Sequence, residues 1–501
     1  MAGGHEVVLR GGMVYDGTGS PPVHMDVAVD KGRITALGDG LRGAVEVDCG
    51  GLSVAPGFID THSHSDLRVL VEPQLAMKLR QGITLEILGQ DGVSVAPVRR
   101  ERVGDARKSL AGLLGDPREA GWKWETVADY LATLEAVRPS VNVAYLVPHG
   151  TLRSYVMGPD DRAPTDEELK EMCAKLDEAL RGGAIGLSTG LIYPPCCYAK
   201  TDELVALGKV LAPYAAPLVV HMRSESDRIL EAVEEMMQVG GRSGCPIHIS
   251  HFKIAGRDNF GLVEQIIERI QRARGSGLVV TCDQYPYTAG STMFGAVLPP
   301  WAHAGGPKAA LERLRDPAAR AKMREQMEVK QPIDWDSFWK WTGPEGIVIS
   351  DVPSGRKSAL LGKTVAELAL AAGKDPIDFA FDLLAEEEMG VGMISHSQSE
   401  DVVERFMRLP YVNGCTDGLL GGRPHPRAYG TYPRYLGRYV RERKVVTMEV
   451  MIRKLTSQAA KAMNLSAIGE IKPGFIADLV VFDGEKVTDT ASFEKPMAFP
   501  L

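Results

Sequence analysis

The stretch APGFIDTHSHSD, residues 55–66, decides the fold. A Pro56-Gly57 turn leads into the apolar Phe58-Ile59, and the run continues through Asp60 to His62-Ser63-His64, which reads as a buried strand opening into a polar loop. Side chains two apart on a strand share a face, so both imidazoles reach one cation from the strand end. Neutral imidazole is the commonest protein ligand for zinc, and a pair held on a rigid strand loses little entropy on binding. A bare His-x-His is more often just a polar loop. Here the pair follows an apolar strand, stands beside Asp60 and Asp66, and precedes further ligand-type residues at later strand ends.

On either side of this stretch the texture changes. From Glu6 to Asp48 short β-branched runs alternate with Gly, Asp and Pro, and Val27, Val29, Ile34 and Leu37 have strand spacing around a Lys31-Gly32 turn. The segment AIGEIKPGFIADLVVFDGEKV, residues 467–487, has the same character. Residues 1–55 and 448–501 are therefore expected to form one small β-sandwich split across the two termini. Between them, residues 56–447 alternate short apolar runs with amphipathic helical stretches such as Thr165 to Arg181, Ile229 to Val239 and Asn259 to Arg274. The apolar runs are GFIDTH, ITLEILG at 83, VNVAYLV at 141, AIGLST at 184, PLVVHM at 217, PIHISH at 246, LVVTCD at 278, GIVISDV at 346, GMISH at 392 and VNGCTDG at 412. This is the pattern of an α/β fold with a parallel sheet, a (β/α)8 TIM-like barrel, although ten runs exceed the eight a barrel needs. The interval 288–346 carries Trp301, Trp335, Trp339 and Trp341 with several Gly and Pro residues, and is expected to be an inserted lid subdomain.

Composition narrows the function. The 501 residues are 44% hydrophobic and 24% charged, ordinary values for a folded globular protein. A formal net charge of −8 without a basic run argues against nucleic-acid binding, which draws its affinity from clustered Lys and Arg. Seven cysteines, an odd number that includes the adjacent Cys196-Cys197, do not make a disulfide framework and suit a reducing cytoplasm. No window is apolar for long enough to span a membrane, and the first residues lack a signal-peptide pattern.

His62, His64, Asp91, His221, His251 and Asp417 each stand at or just beyond the C-terminal end of an expected strand, and in a barrel those ends converge on one face. His248, inside its strand, reads instead as a hydrogen-bonded core residue. With these positions the motifs HMRSES at 221, SHFK at 250, YPYTAGST at 285, CTDG at 415 and HPRAYGTYPR at 425 make the chain resemble the amidohydrolase superfamily, and within it the N-acyl-D-amino acid deacylase (D-aminoacylase) family. The family commonly carries Asn-Cys-Gly after the second strand, whereas this chain reads Gln90-Asp91-Gly92. Asp91 either replaces the thiolate as a zinc ligand or merely caps its loop.

The resemblance implies one tightly bound zinc, held here by Asp91, His221 and His251, with His62 and His64 offering a second metal position. Asp417 is the candidate general base for a water attacking an amide carbonyl. It further implies that Arg427 grips a substrate carboxylate, assisted by Tyr285, Ser291, Lys253 and Tyr193. The expected reaction is hydrolysis of a small N-acyl-D-amino acid. The alternatives are another amide, such as a D-residue dipeptide, a cyclic imide or ureide or a xenobiotic, and a metal-free barrel scaffold. Cys196 and Cys197 read as loop residues near Tyr193.

Overall fold

In the computed structural model, residues 4–329, 335–352, 354–355 and 358–501 are described. Residues 1–3 and 330–334, parts of the expected sandwich and lid, lie outside them. Eight strands pair in sequence order: β1 (Phe58–Asp60), β2 (Ile83–Leu88), β3 (Asn142–Pro148), β4 (Gly186–Gly190), β5 (Leu218–His221), β6 (Ile247–Ile249), β7 (Val280–Gln284) and β8 (Val412–Gly414). Every one of these pairings is parallel. The two outer strands meet just past their ends, where Asp417 N–H donates to the His62 carbonyl at 2.8 Å and His64 N–H donates to the Gly418 carbonyl at 3.3 Å. The sheet is thus drawn into a barrel, and its strands are apolar and buried on both faces because helices cover the outside.

The helices form where the sequence has a 3.6-residue apolar period and a start signal. Asp166–Arg181 begins at Thr165, whose hydroxyl accepts from Glu168 N–H while Glu168 reaches back to the Thr165 N–H. It buries Met172, Leu176, Ala179 and Leu180, one stripe facing the barrel.

Two of the ten apolar runs are not barrel strands. Ile347–Asp351 and Gly392–Ser395 pair with Gly290–Met293 in a separate three-stranded antiparallel sheet. With the helices between them they enclose a core of their own that includes Phe294, Leu314, Phe338, Ile349, Phe381 and Met393. The inserted unit therefore runs to about Ser395 and not to 346. A short apolar run looks the same in either kind of sheet, which is why sequence alone left ten candidates.

The terminal strands His5–Val14, Val23–Asp30, Arg33–Gly38, Gly43–Asp48 and Ser53–Pro56 are joined by Leu479–Phe482, which pairs antiparallel with Ser53–Pro56. They make one six-stranded hydrogen-bonded sheet, with Gly43–Asp48 and Ser53–Pro56 pairing with successive parts of His5–Val14. After residue 447 the chain first adds helices Met448–Leu455 and Ser457–Ala462 to the barrel, where Ala459 and Ala460 pack with Ile59, Leu85 and Ile87. The C-terminal contribution to the sheet is thus much shorter than the span 448–501.

A buried charge network ties the barrel together where β1, β2 and β8 meet. Lys78 is wholly buried and pairs with Asp60 at 2.6 Å and Glu86 at 3.3 Å. Asp60 also accepts from the Thr416 N–H at 2.7 Å and hydroxyl at 2.6 Å, and Glu86 accepts from Ser63 at 2.8 Å and Ser65 at 2.6 Å. Each partner thus holds a loop that carries a candidate site residue. Lys78→Ala leaves two buried carboxylates uncompensated and is expected to cost about 3–5 kcal/mol of stability in urea denaturation. A loss below about 1 kcal/mol contradicts the role given to this network.

Candidate metal centre and active site

His62 and His64 follow β1, Asp91 follows β2, His221 ends β5, His251 lies two residues beyond β6 and Asp417 three beyond β8. All six are buried at one end of the barrel. Asp91 is the shared member of two ligand clusters, one with His62 and His64 and one with His221 and His251. Its Oδ1 lies 3.6 Å from His62 Nε2, 3.8 Å from His221 Nδ1 and 3.4 Å from His251 Nε2, and its Oδ2 lies 3.5 Å from His64 Nε2. Among the described residues, Asp91 Oδ1 and both nitrogens of His221 are buried without a hydrogen-bond partner. Orphaned buried polar atoms cost about 1–3 kcal/mol each, so a cluster of them persists where a ligand satisfies it. Four imidazoles around a carboxylate are a donor set that suits zinc, and the residues fit one or two such ions.

The charges of these side chains fit the same reading. Burial drives His221 down to about 3, outweighing the opposing pull of Glu225, so it is neutral and ready to donate a lone pair. Burial also disfavours charge on His64 and His251, yet Asp417 and Asp91 raise His64 to about 9, and Glu225 and Asp91 raise His251 to about 10. The buried carboxylates demand countercharge, and a cation supplies it in place of those protons.

The backbone is held against its preferences at three of these residues. Asp91, His251 and Asp417 have φ of 55°, 34° and 48°, a region that costs a non-glycine residue on the order of 1–3 kcal/mol. Neighbours enforce it. Gly92 N–H donates to Ser188 Oγ at 3.0 Å, and a Cβ at Gly190 would meet the Asp91 carbonyl at 2.2 Å. Asp283 receives the His251 N–H at 2.5 Å, His248 Nε2 at 3.0 Å and the Thr61 hydroxyl at 2.8 Å, which gives His248 its place in the core.

Asp417 Oδ1 faces His62 Nε2 at 3.6 Å and His64 Nε2 at 3.3 Å, while Arg427 Nη1 lies 2.9 Å from its Oδ2. Burial works to raise this carboxyl, but the Arg427 guanidinium and the surrounding imidazoles hold it well below the usual carboxylate range. Arg427 is fully buried, donates to the Ser291 carbonyl at 2.9 Å and has its guanidinium 4.5 Å from the Tyr285 ring centroid. Lys253 pairs with Glu225 at 2.6 Å, and the Tyr193 ring stands edge-on to His221 at 5.1 Å with its hydroxyl 2.8 Å from Thr292 Oγ1. The Ser291 hydroxyl donates to the Met393 carbonyl at 2.8 Å, and the Tyr285 hydroxyl accepts from Gln398 Nε2 at 2.6 Å.

Sequence reasoning missed Glu225, a buried carboxylate between the two histidines of β5 and β6. Its signal was its position four residues after His221 within HMRSES. The loop residue Cys196 also gains a partner not visible in sequence. Its thiol donates to the Gly92 carbonyl at 3.7 Å, and burial, which would raise the thiol, is outweighed by the neighbouring His149, itself 2.8 Å from Glu203, so the thiol is lowered.

A (β/α)8 barrel with clustered candidate metal ligands at its strand ends defines a class, and comparison with known proteins places the chain within it. Residues 45–498 match the Amidohydrolase family. The chain is 34% identical over 495 residues to D-aminoacylase of Alcaligenes xylosoxydans xylosoxydans, covering 98% of this chain and 90% of that protein. The structure of N-acyl-D-glutamate deacylase from Bordetella bronchiseptica, complexed with zinc and a phosphonate mimic of the tetrahedral intermediate, superposes with a TM-score of 0.83 at 32% identity and covers 99% of this chain and 94% of that one. A D-aminoacylase described with a binuclear metal centre superposes with a TM-score of 0.82 at 31% identity, covering 99% and 94%. This chain belongs to the amidohydrolase family.

The shared position of Asp91 separates the ligands by their effect on metal content. Asp91→Ala is expected to abolish stoichiometric binding altogether in elemental analysis, whereas His62→Ala retains the ion held by His221 and His251. Equal retention in both variants contradicts a bridging Asp91.

Proposed function

We propose that the chain is a zinc-dependent hydrolase of N-acyl-D-amino acids, releasing a carboxylate and a free D-amino acid. The observation that carries the reading is the placement of Asp417, with one oxygen toward His62 and His64 and the other 2.9 Å from Arg427. A candidate cation site, a proton acceptor and a guanidinium for a substrate carboxylate thus adjoin at the buried end of the barrel. The similarity to D-aminoacylase and to a zinc-bound N-acyl-D-glutamate deacylase supports the same substrate class.

Zinc in such a site supplies Lewis acidity, polarising a carbonyl and lowering the pKa of water. The protein supplies positioning and proton transfer. Arg427, held by Asp417 Oδ2 through Nη1 and by the Ser291 carbonyl through Nη2, directs its remaining N–H bonds to the α-carboxylate of the amino acid, and Lys253 and Tyr285 flank it. Asp417 Oδ1 takes a proton from the attacking water as the water oxygen bonds to the acyl carbon. The same proton passes to the amide nitrogen as the carbon–nitrogen bond breaks, and the acid product then gives its remaining proton to the amine. Arg427 at Oδ2 leaves Oδ1 as the oxygen that carries the proton. Tyr193, against His221, closes the other side of the acyl carbon.

The partner is a small-molecule amide. No described helix is long and apolar enough to cross a membrane, and all seven cysteines are free, which suits a cytoplasmic enzyme.

Asp417→Asn keeps the size of the side chain and removes the base, so kcat is expected to fall at least ~100-fold while zinc content persists. Turnover near that of the wild type removes Asp417 from the mechanism. On N-acetyl amino acids assayed as both enantiomers, the D form is expected to be the substrate, and Arg427→Ala is expected to lower kcat/KM by roughly 2–5 kcal/mol in transition-state terms. An unchanged kcat/KM in Arg427→Ala points to an amide that lacks a carboxylate.

A further inference from the structure

The two histidines that face Asp91 from β5 and β6 do so through different ring nitrogens, His221 through Nδ1 and His251 through Nε2. Binding one ion with Asp91 therefore requires opposite tautomers, with the proton on Nε2 of His221 and on Nδ1 of His251. Nothing in a strand end by itself selects opposite tautomers at two neighbouring residues. Both remaining nitrogens lie beside one buried carboxylate, His251 Nδ1 3.1 Å from Glu225 Oε1 and His221 Nε2 3.4 Å from Glu225 Oε2, a contact that becomes a hydrogen bond only if Nε2 carries the proton and the ring turns toward it. Lys253 Nζ lies 2.6 Å from Glu225 Oε1 and 2.7 Å from His251 Nδ1. Ammonium and imidazole N–H cannot both point along that last contact. A proton on His251 Nδ1 therefore requires the ammonium to direct its N–H bonds to Glu225 Oε1 and the His251 carbonyl, at 3.1 Å, in place of the ring nitrogen.

Glu225 sits in the irregular stretch after β5, which has no ladder or helix to hold it. Its backbone is fixed from two sides, the inserted unit and the loop after β6. Asp336, in the inserted unit, accepts the Glu225 N–H at 2.6 Å, the Ser224 hydroxyl at 2.6 Å and the Ser226 hydroxyl at 2.7 Å, and the Glu225 carbonyl accepts the Ala255 N–H at 2.8 Å. A second tie, between Lys340 of the inserted unit and Asp227, holds the same loop. Asp336 is itself buried and adjoins Ser337, which caps helix Phe338–Thr342, and Phe338 belongs to the core of the inserted unit.

We propose that Glu225 is a positioning residue that sets the tautomers and ring orientation of His221 and His251, and that Asp336 is the latch by which the inserted unit holds Glu225 in place. The inserted unit then contributes to metal binding without supplying a ligand, and its docking is coupled to the order of the site. A carboxylate behind a metal-bound imidazole raises its basicity, and losing such a partner typically weakens metal binding 10–100-fold.

The inference rests on the metal-centre reading, and the test separates the two. Zinc affinity is measured by chelator competition on wild type, Glu225→Gln, Glu225→Ala and Asp336→Asn, together with the visible spectrum of each protein loaded with cobalt(II) and the thermal melt of each without metal. Wild-type protein that takes up no zinc overturns the metal centre itself. With zinc bound in the wild type, Glu225→Ala is expected to weaken it at least tenfold and to shift the cobalt bands, with Glu225→Gln in between because its amide offers one acceptor oxygen. Asp336→Asn, which touches neither histidine, is expected to move affinity and spectrum in the same direction by a smaller factor. A lower melting temperature with zinc affinity within threefold of wild type and unchanged cobalt bands reduces Glu225 to a structural residue and overturns the proposal. If Glu225→Ala does not fold, the Gln and Asn variants decide on the same readouts. An effect at Glu225 with none at Asp336 overturns the latch.

Discussion

One carboxylate organises the functional end of this barrel. Asp91 lies within 3.8 Å of a nitrogen from each of four imidazoles, which arrive on three different strands. In a low-dielectric interior a bare carboxylate is costly, and four buried rings around it make a stable arrangement only if positive charge sits among them. Asp91, Asp417 and Glu225 raise the imidazoles of His64 and His251 so that protons supply part of that charge, and a divalent cation would serve better because it binds carboxylate and neutral imidazole together. Strained φ values at Asp91, His251 and Asp417 show that the surrounding packing sets the geometry before any ligand arrives.

The layers behind the ligands are as ordered as the ligands. On the β1–β2–β8 side, Lys78 neutralises Asp60 and Glu86 and so fixes the loops of His62, His64 and Asp417. Asp283 does the same beneath His251. On the β5–β6 side, Glu225 backs both imidazoles and is anchored in the inserted unit through Asp336. Folding, metal capture and the docking of the inserted unit thus draw on one continuous hydrogen-bonded framework.

Much of this was legible in the chain because local pattern and tertiary role agree. Ten apolar runs, five of them with candidate ligand or base residues at their ends, indicated the barrel and the face that carries the site, and the Pro56-Gly57 turn before His62 and His64 marked its start. What was not legible depends on long-range pairing. Ile347–Asp351 and Gly392–Ser395 look like barrel strands and became part of the inserted sheet only through their partner Gly290–Met293. Helices Met448–Leu455 and Ser457–Ala462 precede the last strand without any signal that they belong to the barrel. Lys78, in a four-residue helix, and Glu225, in an irregular loop, carry no periodicity, so their burial against charged partners is visible only in three dimensions.

The central claim is that Asp91 is the shared ligand of a zinc site at the mouth of this barrel. Anomalous diffraction at the zinc edge, on crystals of the wild-type protein grown with zinc, tests it most directly. The account predicts an anomalous peak about 2.0–2.2 Å from a carboxylate oxygen of Asp91 and bonded to His221 Nδ1 and His251 Nε2. A peak held by the histidines with Asp91 turned away, or no peak within the cluster, would contradict it.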